Sequence, residues 1–182
     1  TTGLANGDRI SSITETIDPL ATVTTDAGTA GLWTKASAAQ FSHGTDANYN
    51  IHYADGTFNI TKRALTLLAG DKSRIYGTAN ATAGYVNGTN LFRVKAGSLV
   101  NGDAISTVTE TIDSRATVTT DAGTAGLKTK IANAVFGTGN ANNYDISYED
   151  GSFAITPRDL TLRAGSKTRI YGTENSTAVY TG

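Results

Sequence analysis

The β-rich character of this chain is clearest in residues 143–156, which read Asn-Tyr-Asp-Ile-Ser-Tyr-Glu-Asp-Gly-Ser-Phe-Ala-Ile-Thr. Aromatic or aliphatic side chains alternate with polar ones up to Tyr148, and the alternation resumes at Phe153. Between the two runs stands Asp150-Gly151, a dipeptide that favours a tight turn. Alternation with a period of two indicates strands with one buried face, so the segment predicts a β-hairpin.

The same pattern stands 95 residues earlier, in residues 48–61. At this offset residues 1–87 align with residues 96–182, without gaps, at about 60% identity. The run Ala-Thr-Val-Thr-Thr-Asp-Ala-Gly-Thr-Ala-Gly-Leu occurs at 21–32 and again at 116–127. Chance does not produce such agreement, so the chain is nearly two copies of one unit of 95 residues.

Other segments of the unit also have the composition of strands and turns. Residues 105–112 are rich in β-branched side chains, and residues 101–103, Asn-Gly-Asp, predict a turn just before them. Residues 122–134 are rich in alanine and compatible with a short helix, although their glycines argue against one. We expect the core to be built from the alternating strand residues Tyr144, Ile146, Tyr148, Phe153 and Ile155, with Leu160 or Leu65 at the joining strands.

Composition excludes several classes of protein. Apolar residues make up 38% of the chain and there are only two prolines, which suits short strands joined by many turns. The net charge is −1 and the basic residues form no stripe, so we expect no binding to nucleic acid. No apolar run approaches the roughly 18 residues of a membrane span. The absence of cysteine rules out disulfides and thiol chemistry.

The sequence offers no catalytic constellation. The two histidines, His43 and His52, are matched by Thr138 and Ser147 in the second copy. A mechanism housed in the repeated unit cannot depend on a residue that one copy lacks. The sequence also has no nucleophile elbow, phosphate loop or His-Glu-x-x-His motif. We therefore predict no enzymatic activity, no catalytic residues and no cofactor.

Four aspartates recur at the repeat offset and raise the question of a metal site. Calcium takes carboxylate oxygens from loops. An aspartate beside glycine, however, usually closes a turn, and no Asp-x-Asp-x-Asp spacing concentrates the charge here. We therefore predict no metal and a structural role for the pairs Asp8 and Asp103, Asp18 and Asp113, Asp26 and Asp121, and Asp55 and Asp150.

The aromatic residues allow two interpretations. All eight tyrosines fall into pairs at the repeat offset, which indicates core or half-buried positions in a sheet; a platform for stacking sugars is the alternative. Trp33 differs, because Lys128 takes its place in the second copy. A position that accepts both residues is expected to be exposed. Trp33 is therefore a weak candidate for ligand binding.

Taken together, these segments resemble the MBG and YDG repeats of large bacterial surface adhesins, many of which are similar to exported proteins of the filamentous-haemagglutinin type. The resemblance covers essentially the whole chain and rests on Arg63-Ala-Leu-Thr-Leu, Lys72-x-Arg-Ile-Tyr-Gly, Leu99-Val-Asn-Gly-Asp, Asn143-Tyr144-x-Ile-x-Tyr and Ile155-Thr156-Pro157-Arg158. It implies a mostly β fold, made of β-grasp-like modules of about 95 residues in an elongated tandem array, with an immunoglobulin-like β-sandwich as the alternative. It brings no catalytic residues.

Two divisions of the chain into repeats remain open. The family boundary gives three segments: 1–61 as the C-terminal part of a repeat, 62–157 as one complete repeat, and 158–182 as the N-terminal part of the next. In the alternative, two units fold separately, 1–87 and 96–182, with 88–95 as the connector. Under the first division we expect the end segments to pair head to tail between chains, because exposed strand edges bind other strands.

The resemblance implies a structural stalk or interaction module of a secreted or cell-surface adhesin, extracellular and bacterial. Such a module mediates adhesion or aggregation by projecting a binding region. The alternative is a carbohydrate-binding module that uses Trp33 or exposed tyrosines. The expected partners are neighbouring repeats of the same array, and also glycans or proteins of a host or cell surface.

Overall fold

The computed structural model of this chain describes residues 3–80 and 92–175. Its strands are β1 (Arg9–Ile17), β2 (Trp33–His43), β3 (Gly56–Thr57), β4 (Arg63–Ala69), β5 (Lys72–Ile75), β6 (Phe92–Gly97), β7 (Ala104–Ile112), β8 (Lys128–Thr138), β9 (Tyr144–Glu149) and β10 (Gly151–Thr156). Single 3₁₀ turns lie at Asp46–Asn48 and Ala141–Asn143, and the described part contains no α-helix. The mostly β fold expected from the sequence is confirmed. Within these ranges no helical segment has the length and apolar character of a membrane span.

The strands form three small sheets. β1, β2 and β3 make an antiparallel sheet in that order. A four-stranded sheet has the order β5-β10-β8-β7, in which β10 runs parallel to β5 and antiparallel to β8. The third sheet has the order β6-β4-β9, with β4 antiparallel to β6 and parallel to β9. The adjacent strands β4 and β5 thus each lie beside a strand from much later in the chain.

The segment that predicts a hairpin forms two strands, β9 and β10, which do not pair with each other. The hairpin prediction is therefore wrong, although both strands exist. Asp150 and Gly151 instead carry the chain from one sheet to the other. A Cβ atom at Gly151 would lie 2.6 Å from the carbonyl oxygen of Ala69 at the end of β4. The close approach of β10 to β4 therefore requires glycine at this position.

Two further local predictions have opposite outcomes. The strand expected over residues 105–112 is confirmed as β7, and the turn before it contains Asn101 and Gly102 at φ of 55° and 78°. The short helix considered for residues 122–134 is wrong, because turns lead directly into β8. Gly123 in this segment has a φ of 81°, which a right-handed helix does not accommodate.

The core consists of two clusters of buried side chains, which are Leu65, Leu67, Ala69, Val108, Ile131 and Tyr144 in the first and Ala116, Leu127, Phe153 and Ile155 in the second. Most of the predicted core is confirmed, since it includes the buried residues Tyr144, Phe153, Ile155 and Leu65 and the half-buried Ile146. Tyr148 is 37% exposed, so its prediction is wrong. Of the two leucines proposed for the joining strands, Leu65 is buried and Leu160 is 80% exposed.

The two copies of the unit do not adopt the same structure throughout. β1 and β2 repeat β7 and β8, including a bulge at which Ala38 and Asn133 adopt positive φ. Residues 49–54, the counterpart of β9, form no strand, and neither do residues 158–164, the counterpart of β4. β4 and β9 pair with each other, whereas these counterparts do not. A strand needs a neighbour for its backbone hydrogen bonds, so similar sequence yields different structure.

Candidate functional site

The strands β4 and β5 fill a groove formed by β7, β9, β10 and the loop 113–117, which we call the insertion groove. Leu65 and Leu67 of β4 are 1% and 0% exposed there, in a cluster with Tyr144 and Val108. Full burial of a leucine side chain contributes about 1.5–3 kcal/mol. The hydrophobic effect therefore holds β4 against strands that are distant in sequence.

A buried ion pair joins β5 to β7. Lys72 Nζ lies 2.5 Å from Glu110 Oε2, and the two side chains are 2% and 16% exposed. The other carboxylate oxygen, Glu110 Oε1, is buried and has no hydrogen-bond partner among the described residues. Desolvation of both charges offsets much of their attraction, while loss of one partner removes that attraction and keeps the desolvation cost of the other charge. The pair therefore restricts where β5 can lie more than it adds stability.

Arg74 of β5 is 2% exposed and holds the loop 113–117. Its Nε donates a hydrogen bond to Asn80 Oδ1 at 2.8 Å, and its Nη2 donates to the carbonyl oxygen of Thr117. Asn80 Nδ2 donates in turn to the carbonyl oxygen of Ala116 at 2.7 Å. The guanidinium and the amide thus satisfy loop carbonyl groups that no strand neighbour serves.

A second set of polar contacts, which we call the junction, joins the first copy to the second. Asp26 accepts hydrogen bonds from Asn143 Nδ2 at 2.7 Å and from Asn140 Nδ2 at 3.1 Å. The backbone N–H of Ala27 donates to Asn143 Oδ1 at 2.8 Å. The bonds from Asn143 and then Asn140 lower the pKa of Asp26 below its usual value. A loop of the first copy is thereby clamped to the 3₁₀ turn of the second.

The junction also contains a cavity of about 310 Å³. Its walls include Val23 and Ile60 from the first copy and Tyr144 from the second. Asn101 Nδ2 donates to the carbonyl oxygen of Val23 at 3.0 Å, which adds another bond between the copies. Because both copies line the cavity, its shape depends on how they are held relative to each other.

Trp33, the ligand-binding candidate, is half-buried at the start of β2. The ammonium group of Lys35 lies 4.3 Å from the centre of its ring, in a cation–π contact. Lys128 at the matching position of the second copy is exposed. Trp33 is thus less exposed than expected, since Lys35 covers one face of its ring.

The tyrosine hydroxyl groups bind the backbone and one aspartate. Tyr144 donates to Asp103 Oδ2 at 2.7 Å and accepts from the backbone N–H of Val100 at 3.1 Å, and its burial raises its pKa. Tyr148 accepts from the backbone N–H of Ala134 at 2.9 Å, beside the bulge in β8. This contact draws the ring toward the sheet edge, where it is partly exposed.

The first copy repeats these tyrosine contacts. Tyr49 donates to Asp8 Oδ2 at 2.8 Å, and Tyr53 accepts from a backbone N–H of β2 at 2.9 Å. Tyr85 and Tyr180 lie outside the described residues. Hydroxyl groups with hydrogen-bond partners are typical of a structural role. The core or half-buried position predicted for the tyrosines is nevertheless wrong for the exposed ones, which besides Tyr148 are Tyr53, Tyr76 and Tyr171.

Two more of the repeated aspartates close turns. Asp18 Oδ1 accepts from the backbone N–H of Leu20 at 2.9 Å, and Asp113 Oδ1 accepts from that of Arg115 at 3.0 Å. The guanidinium of Arg115 also donates to Asp113, and its hydrogen bonds lower the pKa of Asp113 to about 2. These are side-chain to backbone bonds of the kind that aspartate supplies in turns.

The sequence analysis did not single out the polar residues that carry the groove and the junction, namely Arg74, Asn80, Glu110, Asn140 and Asn143. All of them except Asn140 are identical at the matching position of the other copy. A polar residue retained in both copies inside or beside a strand is the signal that could have identified them.

The MBG domain family of the YGX type matches residues 65–154. This span begins in β4 and ends in β10, so it contains both the inserted strands and the strands that hold them. No curated protein and no solved structure matches the chain. MBG domains are repeat modules typical of extracellular proteins and are not a known enzyme family. The resemblance seen in the sequence is confirmed, since residues 65–154 match the family of MBG domains of the YGX type.

Proposed function

We propose that this chain is a spacer in the stalk of a cell-surface adhesin, where MBG repeats stand in tandem and project a binding region. The observation that carries the proposal is the junction. Asp26 of one copy accepts hydrogen bonds from both Asn140 and Asn143 of the other, so the relative position of the copies is restrained. A stalk needs such restraint, because its reach is the sum of the steps between neighbouring units.

We further propose that residues 62–157 form one complete repeat, with 1–61 and 158–182 belonging to neighbouring repeats. The pairing of β4 with β9 and of β5 with β10 supports this division, because all four strands lie within that span. The family match at 65–154 also falls within it. In the other division β4 and β5 would belong to a unit that excludes β9 and β10.

A carbohydrate-binding module is the second candidate, and Trp33 is the residue that favours it. The side chain of Trp33 is only half-buried, but Lys35 lies over its ring and competes with a sugar for that face. A glycan array read with the wild-type chain and with Trp33→Ala separates the two functions. Specific binding that disappears in the variant supports the carbohydrate-binding module.

The spacer role is tested by placing the 182-residue chain between a surface anchor and a reporter domain with a known ligand. Atomic force microscopy then measures the height of the bound ligand above the surface. We expect one constant increment of height for each added chain, and a broader height distribution for Asp26→Ala, which removes the carboxylate of the junction. In a single inserted chain Asp121→Ala is the matched control, because Asp121 is the exposed counterpart in the second copy and has no following chain to contact there. No increase in height with chain number would contradict the spacer role.

A further inference from the structure

Identical leucines differ in burial between the two copies. Leu160 and Leu162 are 80% and 85% exposed, whereas their counterparts Leu65 and Leu67 are 1% and 0% exposed. Residues 158–175, which contain both exposed leucines, form no strand. We call this stretch the donor segment. Large apolar side chains on an extended, exposed segment mark a surface that binds another chain.

The first copy contains the matching groove without inserted strands. Ile13 is 51% exposed, whereas its counterpart Val108 is 8% exposed and packs beside the leucines of β4. Phe58 is half-buried, whereas its counterpart Phe153 is buried. Residues 3–61 therefore present an open version of the insertion groove, which we call the open groove.

We propose that the donor segment of one chain docks into the open groove of a second copy of this chain. There it forms the two strands that β4 and β5 form in the insertion groove. This is strand addition to an exposed sheet edge, in which backbone hydrogen bonds give affinity and alternate side chains give specificity. The inference rests on the proposed division into repeats and does not depend on the spacer role.

The polar residues needed for this docking are present on both sides. Lys167 and Glu15 occupy the positions of the buried ion pair, and both are exposed. Arg169 and Asn175 occupy the positions of the buried guanidinium and its amide partner, and both are exposed as well. Thr22 supplies the carbonyl oxygen that matches the acceptor of that guanidinium. The docked segment thus satisfies its charges as β5 does.

The junction contacts recur in the same arrangement and give the docking its direction. Asp121 repeats Asp26, and Asn48 repeats Asn143, so in the docked pair the amide of Asn48 in one chain faces the carboxylate of Asp121 in the other, as Asn143 faces Asp26 within one chain. Thr45 takes the position of Asn140, the second amide donor of the junction. A docked chain therefore follows its neighbour as the second copy follows the first within one chain.

One difference makes the docked strands weaker than β4 and β5. Ser166 replaces Asp71, whose carboxylate accepts bonds from the backbone N–H and the hydroxyl of Ser152 at 2.7 and 2.8 Å. The association is therefore reversible and depends on protein concentration.

The donor segment and the open groove are different surfaces of one chain, so the contact is heterologous. Such a contact leaves a free donor at one end of the complex and a free groove at the other. The products are head-to-tail chains that lengthen with concentration, and a two-fold dimer is not expected.

The test uses the 182-residue chain and two variants in sedimentation velocity runs over a range of concentrations. Leu162→Asp blocks the donor segment, and Ile13→Asp blocks the open groove. Both residues are exposed in the single chain, so the variants keep its fold. We expect the wild type to form species larger than dimers. Each variant should self-associate at least about 100-fold more weakly, because a charge would enter an apolar site.

Mixing the two variants gives the decisive observation. The intact donor of the Ile13→Asp chain fits the intact groove of the Leu162→Asp chain, so the mixture forms a one-to-one dimer and nothing larger. Leu162→Ile is the matched control and associates as the wild type does. Equal thermal unfolding of all variants in dilute solution shows that their folds are intact.

Three results overturn the proposal. The first is a wild type that stays monomeric up to its solubility limit, which includes a chain whose donor segment docks into its own open groove. The others are a variant that self-associates like the wild type and a mixture of the two variants that forms no dimer. In the spacer test the chains are joined covalently in series, so their height does not require one chain to capture another. A failure of strand docking therefore leaves the spacer role intact, and the converse also holds.

Discussion

Replacing Leu67 with alanine tests the insertion groove most directly, because the chain supplies its own control. Leu67 is 0% exposed, and its counterpart Leu162, which follows the same Leu-Thr dipeptide, is 85% exposed. We expect Leu67→Ala to lower the free energy of unfolding by about 3–4 kcal/mol. Leu162→Ala should change it by less than about 0.5 kcal/mol in the single chain.

The magnitude follows from the surroundings of Leu67. The substitution removes three carbon atoms from a fully buried side chain, a transfer loss of about 2.4 kcal/mol. The remaining contribution, about 1 kcal/mol, comes from the cavity that is left. Val108, Ile131 and Tyr144 border this site on strands that are fixed by sheet hydrogen bonds, so they cannot close the cavity fully.

Urea denaturation followed by circular dichroism measures both variants, at a protein concentration low enough to keep the chains separate. The difference between the midpoints, multiplied by a common slope, gives the change in unfolding free energy. Equal destabilisation by the two substitutions would refute the reasoning, since it would place both leucines in similar surroundings. A loss below about 1 kcal/mol for Leu67→Ala would mean that β4 does not occupy the groove.

Three further predictions concern polar groups. Glu110→Ala should cost about 3 kcal/mol of stability in urea denaturation, because it removes the carboxylate beside a buried ammonium, whereas the matched Glu15→Ala on the exposed position should cost almost nothing. Arg115→Leu, which introduces the residue of the first copy, should raise the pKa of Asp113 from about 2 towards 3.8 in an NMR titration. The pKa of Asp113 in the folded state lies below its unfolded value, so the stabilising effect of its carboxylate is complete above pH 3.8 and is lost as the pH falls to about 2. In Arg115→Leu the folded pKa lies closer to 3.8, so the stabilising effect is smaller and is lost at a higher pH. Tyr148→Phe should cost about 1 kcal/mol in thermal unfolding, since the backbone N–H at the bulge loses its acceptor, and an unchanged midpoint would argue against that hydrogen bond.

Local patterns in the sequence were sufficient to locate β7, β9 and β10. The alternation in residues 143–156 predicts β9 and β10 because a period of two is a property of the strand itself. The turn at residues 101–103 was predictable for the same reason, since Asn and Gly tolerate the positive φ that the turn needs. The repeat offset also identified the unit and led to the MBG family.

The partners of those strands could not be predicted from local pattern. The Asp150-Gly151 dipeptide suggests a hairpin, yet β9 and β10 pair with β4 and β5. Both alternatives satisfy the backbone hydrogen bonds of the two strands, and the choice depends on which apolar faces pack together across the whole fold. Likewise, the contact of Lys72 with Glu110 joins residues far apart in the chain, so no spacing rule reveals it.

The leucines show the limit most clearly. Leu65 and Leu160 share their sequence neighbours at the following two positions, yet one is 1% exposed and the other 80% exposed. The strand pattern does not distinguish them, because both are the first leucine of an alternating Leu-Thr-Leu. The sequence alone therefore determined that this is a repeated β unit with two leucines to bury. Only the tertiary structure decided which pair is buried, since burial requires a groove beside the strand and β9 lies beside β4 but not beside residues 158–164.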